Sequence, residues 1–260
     1  MQKRHTDRYS YFNEQADTTL KHVIPFVQGL ISFDKNTRIL EIGCGEGGNL
    51  KPFADMGCQI IGVDMNQNKI RNAKSFFESH PNKNNTQFIL QDIYESEDLG
   101  QFDFVFMRDV LEHIHNQERF MDFVQQFLKP KGLFFLGFPP FQNPFGGHQQ
   151  ICKSKILSTT PYYHNLPKPI YRGILKLFKE PEYQIENLLE VKDTGITIER
   201  FEKIVKKYNY QIKKKTFYFI NPNYEIKFGL KPRKQNKLIN NIPYLRNYLI
   251  TTNYYLLTLQ

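Results

Sequence analysis

The chain has 260 residues, of which 40% are hydrophobic, and carries 35 Lys/Arg against 26 Asp/Glu for a net charge of +9. This length suits one sizeable core with insertions, and no stretch approaches the roughly 18 apolar residues of a membrane span. Cys44, Cys58 and Cys152 are scattered without C-x-x-C spacing, so neither a disulfide framework nor a cysteine zinc site is suggested, and the polar stretch 1–17 does not read as a signal peptide, so a cytoplasmic location is expected.

In chain order, residues 1–35 read as an N-terminal cap. An aromatic turn at 9–13, with Tyr9, Tyr11 and Phe12, precedes an amphipathic helix over 16–30 that puts Leu20, Val23, Ile24 and Val27 on one face and breaks at Pro25. The core occupies 36–138. It opens on Ile39, Leu40 and Ile42, a short apolar run that passes directly into Gly43-Cys44-Gly45-Glu46-Gly47-Gly48. A buried strand therefore enters a tight turn whose glycines accept left-handed angles and let a ligand approach the backbone. A helix start near Gly48 turns its free N–H groups toward that ligand. About 20 residues on, as the nucleotide-binding pattern requires, 59–64 is a second strand ending in Asp64, a carboxylate suited to a ribose hydroxyl pair.

The remaining core elements are a helix over 66–79, a third strand over 88–93 carrying Asp92, a fourth over 102–107, a helix over 118–128 and a fifth strand over 133–138. Asp109, Glu112 and His113 follow the fourth strand at i, i+3 and i+4, which places three potential ligands for a divalent metal on one side of a helical turn. Residues 139–195 form a lid insertion over the carboxyl ends of the strands, with His148 among glycines and a basic, apolar helix over 170–178. Residues 196–260 complete the sheet with a helix over 197–208 and two final strands, 210–220 and 254–259, separated by a long insertion at 221–252.

The spacing G-x-G-x-G after Glu41 differs from the dinucleotide pattern G-x-G-x-x-G. It resembles motif I of class I S-adenosylmethionine-dependent methyltransferases, and Val63-Asp64-Met65-Asn66 resembles their acidic motif. The segment 109–114, Asp-Val-Leu-Glu-His-Ile, resembles the D-x-x-E-H-[ILV] run of the ubiquinone-biosynthesis type. The resemblance covers about 36–138 well. It implies a Rossmann-like, doubly wound α/β sheet of seven strands, mostly parallel with an antiparallel end strand, plus lid insertions.

The cofactor implied is S-adenosylmethionine, held by Glu41, Gly43, Gly45, Asp64, Met65, Asp92, Ile93 and Arg108. Met65 would lie on the adenine face, and Asp92 would accept from its amino group. The [DN]-P-P-[YFW] motif of base-directed amino methyltransferases is missing, since Pro139-Pro140-Phe141 follows the fifth strand instead of the fourth. O-methylation of a small, sugar-linked or lipid-linked acceptor is therefore expected, with His148 or His113 as general base. The alternative is metal assistance by Asp109, Glu112 and His113, with His148 as a fourth ligand.

Charge leaves further partners open. Residues 1–150 hold 15 Lys/Arg against 18 Asp/Glu, whereas 151–260 hold 20 against 8. That basic part could face an anionic membrane surface, RNA or only solvent. Lys168, Arg172, Lys176 and Lys179, beside Ile170, Ile174, Leu175 and Phe178, make the lid helix the expected membrane contact. RNA methylation and a non-enzymatic, cofactor-binding regulator are the competing functions.

Overall fold

The computed structural model describes residues 7–96 and 99–260. Strands β1 (Arg38–Ile42), β2 (Gln59–Asp64), β3 (Thr86–Leu90), β4 (Phe102–Arg108), β5 (Leu128–Phe138), β6 (Tyr210–Ile220), β7 (Arg233–Lys234) and β8 (Thr252–Leu259) form one sheet in the order β3-β2-β1-β4-β5-β8-β6-β7. The first five are parallel, and β8 inserts antiparallel between β5 and β6. Strand order reverses between β1 and β4, and a doubly wound sheet opens its ligand crevice at that reversal, outside the carboxyl ends of the strands.

The central strands β1, β4, β5 and β8 are buried on both faces, which is why they read as near-continuous apolar runs. On one face Leu40, Val105, Met107 and Phe134 pack beneath the helices Gln117–Val124 and Ile198–Lys207. On the other, Ile39, Phe104, Phe106 and Phe135 meet Val23, Phe26, Phe53 and Phe77 from the N-terminal segment and the helices that follow β1 and β2. The sheet has eight strands instead of the expected seven. The eighth, β7, is two residues of the 221–252 connection held at the edge of β6, and no hydrophobic alternation announces so short a strand.

The N-terminal segment also departs from expectation. Asp7 caps a helix that runs Arg8–Thr18, accepting from the Ser10 N–H at 2.9 Å, so Tyr9, Tyr11 and Phe12 lie on a helix and not in a turn. A π-helical turn, Thr19–Val23, then precedes the short helix Ile24–Val27 that contains Pro25. The proline has no N–H to donate and its ring crowds the preceding turn; a widened turn relieves both. Widening also changes the phase of the helix. Val23 and Val27 are buried, but Leu20, expected on the same face, is exposed.

The third strand ends at Leu90, earlier than expected, which leaves Asp92 and Ile93 in a bend and a single 3-10 turn. Within the 139–195 insertion, helices Lys155–Thr159, Lys168–Leu177 and Glu182–Thr194 share a separate apolar cluster of Cys152, Leu157, Tyr171, Leu175, Ile185, Leu188 and Leu189. The lid helix is less cationic in place than in sequence. Lys168 pairs with Asp193, Arg172 with Glu182 and Glu186, and Lys176 approaches Glu182. No helix among the described residues is long and apolar enough to cross a membrane.

Candidate active site

The glycine turn is built as the sequence requires. Gly43, Gly45 and Gly47 all have positive φ. At Gly43 a Cβ would lie 2.5 Å from Val110 Cγ2, so no larger residue fits between the turn and the segment after β4. Asp64 is oriented by two backbone donors, Gly45 N–H to Oδ2 and Asn66 N–H to Oδ1, both at 2.8 Å. Its carboxylate thus stands fixed at the end of β2, joining the turn to the next helix.

A cavity of about 820 Å³ opens over these groups. Gly43, Gly45, Asp64, Met65, Asp92, Ile93 and Arg108 all border it. Met65 forms an exposed lip, and Ile93 is a buried wall. Asp92 uses one oxygen to accept from the Tyr94 N–H at 3.0 Å. Arg108 is buried, with Nε 3.9 Å from Asp109 Oδ2 and Nη1 without a hydrogen-bond partner. Of the predicted cofactor residues, Glu41 alone does not border the cavity.

Glu41 lies beneath the turn, fully buried. Its Oε1 accepts from Asn49 Nδ2 at 2.6 Å, and Oε2 has no partner. Burial pushes its carboxyl up to about 8, against the lowering effects of the Asn49 bond and the Arg108 charge. Because the folded value exceeds the ordinary 4.5, the folded chain keeps a proton that the unfolded chain gives up. This contribution to stability is complete below the unfolded value and is lost as pH rises through the folded one. Glu41→Gln, which cannot titrate, is therefore expected to lose less melting temperature than the unsubstituted protein between about pH 5 and about pH 9. Parallel melting curves, recorded without cofactor, would show that Glu41 does not titrate in that window.

Past β4 the backbone contradicts the premise that Asp109, Glu112 and His113 share a helical turn. Asp109 has φ +56°, and only Leu111–His113 forms a turn, of 3-10 type. Asp109 is thereby directed toward Arg108 and drops out of the ligand set. His148, expected as the fourth ligand, stays with Glu112 and His113. One ligand atom each from Glu112, His113 and His148 lie within 4.8 Å of one another, and the two imidazole rings are 5.0 Å apart. The turn is fixed to the lid by Gln117 Nε2, donating to Leu111 O at 3.2 Å and Thr194 O at 2.6 Å, and by Thr194 Oγ1, donating to Glu112 O at 2.5 Å.

Protonation in this cluster follows from burial. His148 is lowered to about 4 by burial and by the neighbouring His113, and His113 is lowered by burial and Lys69. Both imidazoles are neutral near pH 7, the form that ligates metal. A conjugate acid near 4 makes His148 a weak general base, which counts against the base role expected of it. Glu112 is raised well above the carboxylate range by burial and by Asp109, and neither of its buried oxygens has a hydrogen-bond partner. Carboxyl oxygens without a hydrogen-bond partner beside two neutral imidazoles are side-chain groups of the chemical type that ligates divalent cations.

Several cavity residues were not singled out in the sequence. Arg8 grips Glu46 through two bonds, Nε–Oε1 at 2.6 Å and Nη2–Oε2 at 2.8 Å, and so pins the N-terminal helix onto the glycine turn. Tyr94, Arg119 and Glu190 complete the rim. The one available signal was Glu46, a charged residue in the middle of a glycine turn. Its partner, far away in sequence, carried none.

A nucleoside-cofactor crevice at the switch point of a doubly wound sheet, bordered by His113 of the Glu112–His113–His148 cluster, defines a Rossmann-like transferase site. The methyltransferase domain family matches residues 12–144, about half of the chain, and the chain belongs to that family. Among curated relatives it is 34% identical over 111 residues to the ubiquinone biosynthesis O-methyltransferase of Bartonella tribocorum, covering 41% of this chain and 42% of that one. It is 27% identical over 140 residues to the mitochondrial enzyme of that name from Dictyostelium discoideum, covering 50% and 41%.

The chain thus spans about two fifths of the length of these relatives. Among solved structures, Haemonchus contortus phosphoethanolamine N-methyltransferase 2 superposes with a TM-score of 0.60 at 16% identity, over 98% of this chain and 58% of that one. Magnesium protoporphyrin IX methyltransferase from Synechocystis PCC 6803 gives 0.54 at 14%, over 97% and 84%. At these identities the structures attest the fold.

Proposed function

We propose that the chain transfers a methyl group from S-adenosylmethionine to a hydroxyl oxygen of a small-molecule acceptor, with a divalent ion at Glu112, His113 and His148. The observation that carries the reading is the adjacency of that cluster to the cavity bordered by the glycine turn, Asp64 and Asp92. The curated relatives named for O-methylation support an oxygen acceptor. Sugar-linked and lipid-linked acceptors both fit, and a cytoplasmic site of action suits the reading.

When bound, S-adenosylmethionine supplies a methyl group on a sulfonium leaving group, so the protein's tasks are binding, alignment and care of the acceptor's proton. Asp64, held by Gly45 and Asn66, offers two oriented oxygens to the ribose. Asp92, after β3, would accept from the adenine amino group, with Ile93 and Met65 as apolar surfaces of the same cavity. A divalent ion held by Glu112, His113 and His148 would favour the deprotonated form of the acceptor hydroxyl. Gln117 and Thr194 keep the Glu112–His113 turn in place during the reaction.

Isothermal titration calorimetry with S-adenosylmethionine and NADH tests the cofactor assignment directly. Micromolar binding of the first and none of the second is expected, and tighter NADH binding would overturn it. Labelled-methyl transfer into extracted metabolites, against extracted RNA, tests the acceptor class. Label confined to RNA would favour the nucleic-acid alternative, which rests on charge alone.

A further inference from the structure

After Glu225 the chain contains no acidic residue. In that stretch Lys231, Arg233, Lys234 and Lys237 are exposed, and none of them enters the ion pairs found among the described residues. Interleaved with them are the exposed side chains of Phe228, Leu230, Leu238, Ile242, Tyr244 and Leu245, Leu238 being 76% exposed. A single connection that exposes this many large apolar side chains is the kind of segment that engages a partner.

The segment is not a loose loop. Gln235 Nε2 donates to Leu249 O at 2.7 Å, and Arg246 Nη1 donates to Asn240 O at 3.2 Å. Glu199, on the helix Ile198–Lys207, accepts from Tyr244 N at 2.9 Å, Arg246 Nε at 2.8 Å and Asn247 Nδ2 at 2.6 Å. The apolar tips are therefore presented on a tied scaffold, and burying them in a partner requires little further ordering.

The sheet topology decides which end of the molecule they occupy. Phe138, the last residue of β5, pairs with Asn253 near the start of β8, and Ile220, the last of β6, pairs with Arg233. The whole 221–251 connection thus leaves from the carboxyl ends of the parallel strands, the end at which the cavity opens. Tyr162 Oη, donating to Tyr248 O at 3.1 Å, ties it to the lid.

We infer that this surface, residues 228–245, docks on an anionic lipid bilayer. Unpaired cations beside aliphatic side chains suit the headgroup boundary, where the former meet lipid charge and the latter enter the acyl region. Single-stranded nucleic acid would use the cations and stack on Phe228 and Tyr244, but the aliphatic majority, Leu230, Leu238, Ile242 and Leu245, offers it neither stacking nor hydrogen bonds. The contact belongs to this connection and not to the lid helix, whose cations are largely neutralised by Glu182, Glu186 and Asp193.

The test is flotation of the full chain with phosphatidylcholine vesicles, with and without phosphatidylglycerol. Binding is expected on the anionic vesicles only. Each cation near such a surface is worth roughly a fivefold partition factor, so Lys234→Glu/Lys237→Glu is expected to weaken binding by about 25-fold or more. Leu238→Ser/Ile242→Ser should weaken it at unchanged charge, an effect that purely electrostatic association would not show. All four positions are exposed, and unchanged melting temperatures will confirm that the variants fold.

Equal flotation on neutral and anionic vesicles, or full binding by either double variant, would overturn the inference. So would salt-sensitive binding to single-stranded RNA in a protein that ignores vesicles. None of these readouts requires methyl transfer, so failure here leaves the proposed reaction standing, and failure of cofactor binding leaves this test readable.

Discussion

Asp64→Ala is expected to weaken S-adenosylmethionine binding by at least about 10- to 100-fold, the factor for losing even one charge-assisted bond of about 1.5 to 3 kcal/mol to the two ribose hydroxyls the carboxylate would meet. The structure adds a second reason for a large effect. The same carboxylate accepts from Gly45 N–H and Asn66 N–H at 2.8 Å, so its removal also leaves the glycine turn less restrained. Asp64→Asn separates the two contributions, since an amide keeps one acceptor oxygen but loses the charge. Calorimetry on the three proteins checks the prediction, and equal affinities for unsubstituted protein and Asp64→Ala would remove Asp64 from the cofactor site.

Chelation with EDTA is expected to abolish turnover and to leave cofactor affinity intact, because Asp64 and Asp92 lie on other strand ends than the Glu112–His113–His148 cluster. Glu112→Gln and His148→Ala should each lower turnover by roughly 100-fold or more, the scale of several kcal/mol of charge stabilisation. The pH dependence has a definite sign. Burial and Asp109 hold Glu112 protonated well above the usual carboxylate range, so a cation must displace that proton and is bound more tightly as pH rises. The two histidines, already neutral near pH 7, do not oppose it. Metal titrations at several pH values would show this trend. Full activity of His148→Ala in a preparation insensitive to EDTA would remove both the metal and the general-base roles and leave catalysis to alignment alone.

The two predictions draw on different kinds of information. Asp64 was legible in the sequence because most of what positions it is local, the Gly45 N–H from the glycine turn being the exception. An apolar run fixes β2, a polar residue ends it, and the Asn66 side chain caps the next helix by accepting from Asn68 and Lys69 N–H. Gly43 and Gly45 were legible for the same reason, since backbone sterics permit that turn to few other residues. The parallel strands followed from continuous apolar runs that only burial on both faces explains.

The Glu112–His113–His148 cluster was legible in its members but not in its geometry. His113 and Glu112 were found from spacing, but the spacing assumed an α-helix, and φ +56° at Asp109 broke that assumption. His148 joins the pair by crossing from the insertion after β5, a juxtaposition set by packing of the lid on the 3-10 turn through Gln117 and Thr194. The Arg8–Glu46 clamp, the exposure of Leu20 after the π turn and the two-residue strand β7 are of the same kind. Periodicity and turn chemistry specify how each segment folds and which face it buries, so the sequence by itself determined the nucleotide-type crevice. Which side chains meet across distant segments depends on the summed packing of the whole chain: the sequence named Asp109, Glu112, His113 and His148 as one set, and the tertiary structure decided that the last three meet while Asp109 turns toward Arg108.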